Sequence, residues 1–131
     1  MKIYLAGAFS GWRDSVIEGA PDHEYYDPRK DTDQTAICRF TLGDQEGVES
    51  CEMLFCYDEE GHENIGMSWE IGVASANRIP IILCTTKKFI FPIHAGAALR
   101  IMTDLDTALF YLNALSETHN ELKAAYATLK R

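Results

Sequence analysis

The sequence predicts an α/β fold, a small doubly wound parallel sheet of about five strands with helices on both faces. Short apolar runs alternate along the chain with longer stretches of helical spacing, which is the pattern of parallel βαβ units. The apolar runs contain few polar residues, as is typical of strands that are covered on both faces. A length of 131 residues is that of one domain. We therefore predict a single flavodoxin- or Rossmann-like domain over residues 1–131.

The predicted strands are short and apolar. The first ends at Gly7, the second is stopped by Pro28, and the third and fourth are rich in aliphatic, aromatic and cysteine residues. A last short strand precedes the C-terminal helical stretch. In chain order, the predicted strands are residues 3–6, 24–27, 53–57, 79–84 and 99–102.

The predicted helices lie between and after these strands, where apolar residues recur at helical spacing. Thr118 and Glu121 have the spacing of a capping box, which would divide the last helix in two. Residues 29–40 are polar without a clear period and are predicted as a loop, whereas residues 89–98 fit neither pattern clearly. The predicted helices are residues 10–17, 42–51, 65–78 and 104–129.

The composition argues against several classes of function. The 12 Lys and Arg against 20 Asp and Glu give a net charge of -8, so neither nucleic acid nor an anionic membrane is expected as a partner. The longest apolar runs are far shorter than the ~20 residues of a membrane span, and the apolar N-terminal stretch is too short for a signal peptide. The cysteines form no CxxC pair and no zinc-finger spacing. We therefore predict a cytoplasmic protein with reduced thiols and with no metal or cofactor.

Glu70 is the most informative candidate for chemistry. Ligands of doubly wound sheets bind outside the carboxyl ends of the strands, and Glu70 follows the third predicted strand and its loop. On a helix, Glu70 shares the sheet-facing side with Met67 and Ile71. A carboxylate in that position lowers stability unless a partner compensates it. The alternative is a first-turn glutamate that complements the helix dipole.

Asp44 repeats this pattern. It shares a helical face with Val48 and Cys51, so we expect it to point at the core or the cleft. As an alternative, Asp44 would cap a helix that begins there. Two inward carboxylates from neighbouring βα units could act as nucleophile and acid–base partner on a glycosidic bond.

The segment that follows the first strand, GAFSG at residues 7–11, is neither a dinucleotide fingerprint nor a P-loop. Its backbone N–H groups could still bind an anion at the start of a helix, with Arg13 nearby as a phosphate fork. The alternative is that these glycines only form a turn.

These residues together resemble the nucleoside 2-deoxyribosyltransferase family, including its shorter deoxynucleoside 5′-monophosphate glycosidase relatives. The resemblance is carried by KIYLAG at residues 2–7, DPR at 27–29, GD at 43–44, and GMSWEIGVASA at 66–76 followed by IPII at 79–82. It covers roughly residues 1–85 and implies one domain of this family's type.

The resemblance implies a role for each matching position. Glu70 would be the nucleophile at the anomeric carbon, Asp44 would orient the sugar or protonate the leaving base, and Tyr4 would hold the nucleophile. Asn64 stands where the transferases carry an aspartate and phosphate-binding relatives a serine, so nucleoside and 5′-monophosphate substrates both stay open. The implied substrate-binding residues are Gly7, Ala8, Phe9, Arg13, Asn64, Gly66 and Met67.

The leading functional hypothesis is transfer of a (2-deoxy)ribosyl group between bases through a covalent glycosyl-glutamate. Its alternatives are an N-glycoside hydrolase of (deoxy)nucleoside 5′-monophosphates and a non-catalytic nucleotide-binding module. In each case the partner is a small nucleoside or nucleotide. The resemblance also implies a homo-oligomer, a dimer or larger, in which His94 or nearby residues of a neighbouring subunit could complete the pocket.

Overall fold

The structure is a computed structural model that describes residues 1–129, apart from the side chains of residues 122–123, 126 and 128–129. Strands and helices alternate along most of the chain. The strands are β1 Lys2–Gly7, β2 Glu24–Tyr26, β3 Met53–Asp58, β4 Ile81–Thr85 and β5 Arg100–Met102. The helices are α1 Trp12–Gly19, α2 Pro28–Asp31, α3 Ile37–Glu49, α4 Ile65–Ala76, α5 Pro92–Ala97 and α6 Leu105–Leu129.

The strands form one five-stranded parallel sheet in the order β2-β1-β3-β4-β5. Successive residues of β1 point to opposite faces, so Leu5 joins a core with α1 and α6, while Ala6 joins a second core with α3 and α4. The predicted doubly wound fold is therefore confirmed. The strand order reverses between β1 and β3, which places the ligand-binding switch point at the carboxyl ends of these two strands.

Two local predictions for the middle of the chain are wrong. Residues 29–40 contain all of α2 except Pro28 and the beginning of α3, rather than only a loop. The short helix α2 forms because Pro28 occupies its first turn and the Asp27 side chain accepts a hydrogen bond from the Arg29 backbone N–H at 3.0 Å. Because α3 begins at Ile37, Asp44 lies inside that helix and does not cap it.

The last helix is also continuous, contrary to the predicted capping box. The Thr118 hydroxyl donates to the Ala114 carbonyl at 3.1 Å, which is a bond inside an unbroken helix. The ambiguous residues 89–98 contain α5, and the predicted last strand is confirmed as β5. Among the described residues, no helix combines the length and apolarity that a membrane crossing requires.

Gly7 closes β1 in a conformation that only glycine adopts easily, with φ 152°. A Cβ at this position would lie 2.5 Å from the Tyr57 carbonyl oxygen. We expect Gly7→Ala to lower the free energy of unfolding by about 2 kcal/mol or more. Gly11→Ala is the control, because a Cβ at Gly11 has nothing within 4 Å. Urea unfolding of the two variants measures the difference, and equal effects would contradict this account of Gly7.

Candidate active site

Glu70 lies on the side of α4 that faces the sheet, as the helical spacing predicts. Its side chain is 7% exposed, and its neighbours on that face, Met67 and Ile71, are also buried. Glu70 therefore brings a carboxyl group into a largely apolar layer, which requires compensation from polar neighbours.

Tyr4 and Asp44 bring two further polar groups to Glu70. Tyr4 extends from β1, is fully buried, and stacks on Tyr26 with ring centroids 5.1 Å apart. Its hydroxyl interacts with the carboxyl groups of both Glu70 and Asp44. Neither contact reaches full hydrogen-bond geometry, so the Tyr4 hydroxyl and Asp44 Oδ1 are buried without a hydrogen-bond partner among the described residues. Buried polar atoms in this state are available to a ligand.

The surroundings keep protons on this group of side chains. Burial raises the pKa of Glu70 to about 8, the negative charge of Asp44 adds to the rise, and Tyr4 and Arg13 act against it. Burial also raises the pKa of Asp44. Burial and both carboxylates raise the pKa of Tyr4, so its hydroxyl stays a proton donor. At neutral pH, Glu70 therefore still holds a proton in the free protein.

These side chains open into a cavity of about 230 Å³ at the switch point. Every predicted site residue except Tyr4 lines it: Gly7, Ala8, Phe9, Arg13, Asp44, Asn64, Gly66, Met67 and Glu70. The sequence did not identify four other lining residues, Pro28, Gln34, Phe40 and Glu63, as site residues. Pro28 and Glu63 follow the carboxyl ends of β2 and β3 closely, which is the signal that points to them, whereas Gln34 and Phe40 lie farther along the chain.

Arg13 lines the cavity but is nearly fully buried, at 1% exposure. Its guanidinium donates to the backbone carbonyls of Leu5, Gly7 and Ala8 at 3.1, 2.9 and 2.8 Å. The predicted phosphate fork is therefore engaged with the protein's own backbone. Desolvation in this environment lowers the pKa of Arg13, and the nearby Asp27 carboxylate opposes that change.

Asn64 stands between this cavity and a larger one of about 650 Å³. Its amide donates to Asp58 at 2.8 Å, and Lys87 pairs with the same carboxylate at 2.9 Å. In the larger cavity, His94 Nε2 lies 2.7 Å from the Ser68 hydroxyl. We place the chemistry in the smaller cavity, because that one contains the two carboxyl groups with raised pKa values.

Within residues 1–129, no three His, Cys, Asp or Glu side chains form a group that could hold a metal ion. The polar groups that face the smaller cavity are carboxyl, amide and guanidinium groups. Of these, the carboxyl groups can move a proton or attack an electrophilic carbon.

Comparison with solved structures places this fold among known proteins. A 2-deoxyribosyltransferase from Bacillus psychrosaccharolyticus is 18% identical with a TM-score of 0.67, over 83% of this chain and 90% of that chain. The chain has the fold of that enzyme. A conserved protein from Enterococcus faecalis V583 is 19% identical with a TM-score of 0.72, over 87% of this chain and 98% of that one.

A CMP N-glycosidase from Clostridium botulinum shares the fold as well, at 20% identity and a TM-score of 0.62, over 88% of this chain and 98% of that chain. No protein-family model matches the chain, and no curated protein does so either. Similarity at this level of identity establishes the fold. The fold implied by the resemblance to 2-deoxyribosyltransferases is thus confirmed.

The burial of Glu70 makes the stability of the fold depend on pH. Its pKa rises from 4.5 to about 8 on folding, so its contribution to stability is complete below pH 4.5 and is lost as the pH rises through 8. We expect Glu70→Gln to be a few kcal/mol more stable than the wild type at about pH 9 and similar to it at about pH 5. Chemical unfolding at both pH values measures this difference.

The control for this measurement is Glu46→Gln, which changes an exposed glutamate on α3. It should leave the stability nearly unchanged at both pH values. A Glu70→Gln variant that is stabilised equally at both values would contradict the assignment of the raised pKa to Glu70.

Proposed function

We propose that this protein is an enzyme that cleaves the N-glycosidic bond of nucleosides or nucleotides and transfers the (2-deoxy)ribosyl group between bases. The observation that carries the proposal is the pair of inward carboxyl groups, Glu70 and Asp44, around the buried Tyr4 hydroxyl. The resemblance of the sequence and the fold shared with a 2-deoxyribosyltransferase and a CMP N-glycosidase support the same class of reaction.

In this proposal, the Glu70 carboxylate attacks the anomeric carbon of the sugar. A C–O bond to Glu70 forms while the C–N bond to the base breaks, and the bonding electron pair leaves with the base. The transition state resembles an oxocarbenium ion, which a buried carboxylate beneath the ring stabilises. A second base then attacks the anomeric carbon of the glycosyl ester, releases Glu70 and completes the transfer.

Asp44 manages the proton in both half-reactions. The leaving base takes a proton from Asp44, and the incoming base returns one to it. This cycle needs an ionised Glu70 and a protonated Asp44, so the proton that Glu70 holds in the free protein has to move to Asp44 when the substrate binds. The Tyr4 hydroxyl interacts with both carboxyl groups, so it can hold Glu70 in place as the proton changes position.

A hydrolase that uses the same residues is the second candidate. Water in place of the second base would turn transfer into hydrolysis. Asn64 supports the hydrolase as a candidate, because the resemblance implies an aspartate at this position in transferases and Asn64 has a neutral amide instead. A neutral side chain there also leaves room for a 5′-phosphate, since it adds no negative charge that would repel one.

A homo-oligomer, a dimer or larger, remains part of the proposal. The exposed apolar side chains Ile65, Phe91 and Ile93 border the larger cavity. That cavity shares Glu63 and Asn64 with the proposed active site, so a neighbouring subunit seated there would reach its entrance. Exposed apolar groups of this kind are typical of protein interfaces. Sedimentation equilibrium gives the mass, and a strict monomer would contradict this part.

Loss of the nucleophile is the first test of the activity. The protein is incubated with ribo- and deoxynucleosides and their 5′-monophosphates, with and without an acceptor base, and the products are separated by chromatography. We expect Glu70→Gln to lower turnover by about a thousandfold or more, because the amide cannot form the ester. A new nucleoside indicates transfer, and free base without acceptor indicates hydrolysis.

Glu46→Gln again serves as the control and should keep full turnover, since Glu46 is exposed on α3. Undiminished activity of Glu70→Gln would exclude the proposed nucleophile. A nucleotide that binds tightly but is recovered unchanged across the whole panel would favour the non-catalytic binding module instead.

The proton that Glu70 holds predicts a loss of kcat/KM at alkaline pH. The active form holds one proton on the carboxyl pair, so kcat/KM should fall as the pH rises above about 8, where the pair loses that proton. Asp44→Asn should lower kcat by about a hundredfold or more for bases that leave only when protonated. A pH profile that keeps rising above pH 8 would contradict a proton-donating role for the pair.

A further inference from the structure

The buried guanidinium of Arg13 holds one wall of the active-site cavity in place. Its three bonds end on the carbonyls of Leu5, Gly7 and Ala8, which belong to the end of β1 and the loop after it. The Trp12 indole N–H also donates to the Ala8 carbonyl, at 2.9 Å. Two side chains of α1 thus fix the backbone that lines the cavity at Gly7 and Ala8.

The aromatic neighbours of Arg13 add to this arrangement. The guanidinium lies 4.6 Å from the ring centroid of Trp12 and 5.1 Å from that of Phe9. Phe9 is mostly exposed and lines the cavity, and its contact with the Arg13 guanidinium attaches its ring to the same wall. A substrate phosphate could engage Arg13 fully only by taking N–H groups away from the backbone carbonyls.

The positive charge of Arg13 is only partly balanced by Asp27. The two groups are 3.8 Å apart, whereas Arg29 binds the same carboxylate through several bonds, the shortest of which is 2.7 Å. Arg29 also bonds to Asp14. The carboxylate of Asp27 is thus mainly engaged by Arg29, so it neutralises the charge of Arg13 only in part.

The groups that act on Glu70 come from several elements packed around it. Tyr4 comes from β1, Asp44 from α3 and Arg13 from α1, and the Cys56 thiol of β3 is also within electrostatic range. Arg13 is the cationic member of this set. Because Glu70 becomes negative when it loses its proton, a fixed buried cation favours the ionised Glu70 that the proposed attack requires.

We propose that Arg13 is a positioning residue rather than a ligand for substrate phosphate: it fixes the cavity wall through three backbone carbonyls and supplies the buried positive charge that balances Glu70 and Asp44. The proposal deepens the proposed function and rests on it for the role of Glu70. The charge effect itself is a property of the free protein, so it can be measured without turnover.

Titration of the Glu70 carboxyl carbon by NMR tests the charge effect, with the resonance assigned from its absence in Glu70→Gln. We expect Arg13→Met to move the Glu70 midpoint upward, because the cation that opposes protonation is removed. Arg13→Lys should leave the midpoint nearly unchanged. Arg29→Met is the matched control, since it removes a cation from the same Asp27 without facing Glu70, and it should move the midpoint much less.

Kinetics of the same variants test whether Arg13 fixes the wall of the cavity. Arg13→Lys keeps the charge but loses the planar fork, so we expect KM to rise about tenfold while the pH limits of kcat/KM stay in place. The rise should be similar for nucleosides and for their 5′-monophosphates. A loss confined to the 5′-monophosphates would overturn the proposal, because it would make Arg13 a phosphate ligand.

The proposal would also be overturned if the Glu70 midpoint of Arg13→Met were the same as that of Arg29→Met. If Arg13→Met does not fold, Arg13→Gln replaces it, since the amide can still donate to a carbonyl but carries no charge. If the Glu70 midpoint moves in Arg13→Met but the wild type turns over none of the substrates, the charge effect is supported and the proposed function is rejected. The two failures are therefore distinguishable.

Discussion

The burial of the Glu70 carboxyl group is the constraint on which the site depends. An ionisable group on the sheet-facing side of α4 destabilises the fold whenever it is charged, so the residues around it must limit that loss. Tyr4, Asp44 and Arg13 surround it with one hydroxyl, one further acid and one cation. Tyr4 and Arg13 favour the charged form of Glu70, whereas Asp44 and burial favour the protonated form, which the apolar layer accepts at lower cost.

The topology of the sheet explains why these side chains meet. Tyr4 is in β1, Asp44 is in the helix that leads into β3, and Glu70 is in the helix that follows β3. In a parallel sheet that reverses its order between β1 and β3, these three segments pack on one face near the same end. Positions far apart in the chain therefore converge without any long loop.

The sequence predicts the strands and the inward position of Glu70, because both depend on local periodicity. Continuous apolar runs identify buried strands. A carboxylate at helical spacing from apolar residues lies on the same helix face as they do. The start of α3 escapes the sequence pattern because Ile37, Cys38 and Arg39 are exposed in its first turn, so no buried apolar stripe marks it. Gln34 and Phe40 reach the cavity only through the packing of the chain after β2. The partners of the long Arg13 side chain likewise depend on tertiary contacts that local patterns do not encode.

The close approach of α3 to its neighbours depends on two residues that lack side chains. A Cβ on Gly47 would lie 2.6 Å from the Tyr26 ring, and one on Gly43 would lie 2.9 Å from Thr32. Because Tyr26 stacks on Tyr4, a side chain at position 47 would push on the ring that supports the Tyr4 hydroxyl. Two glycines outside the cavity lining thus constrain the geometry of the groups around Glu70.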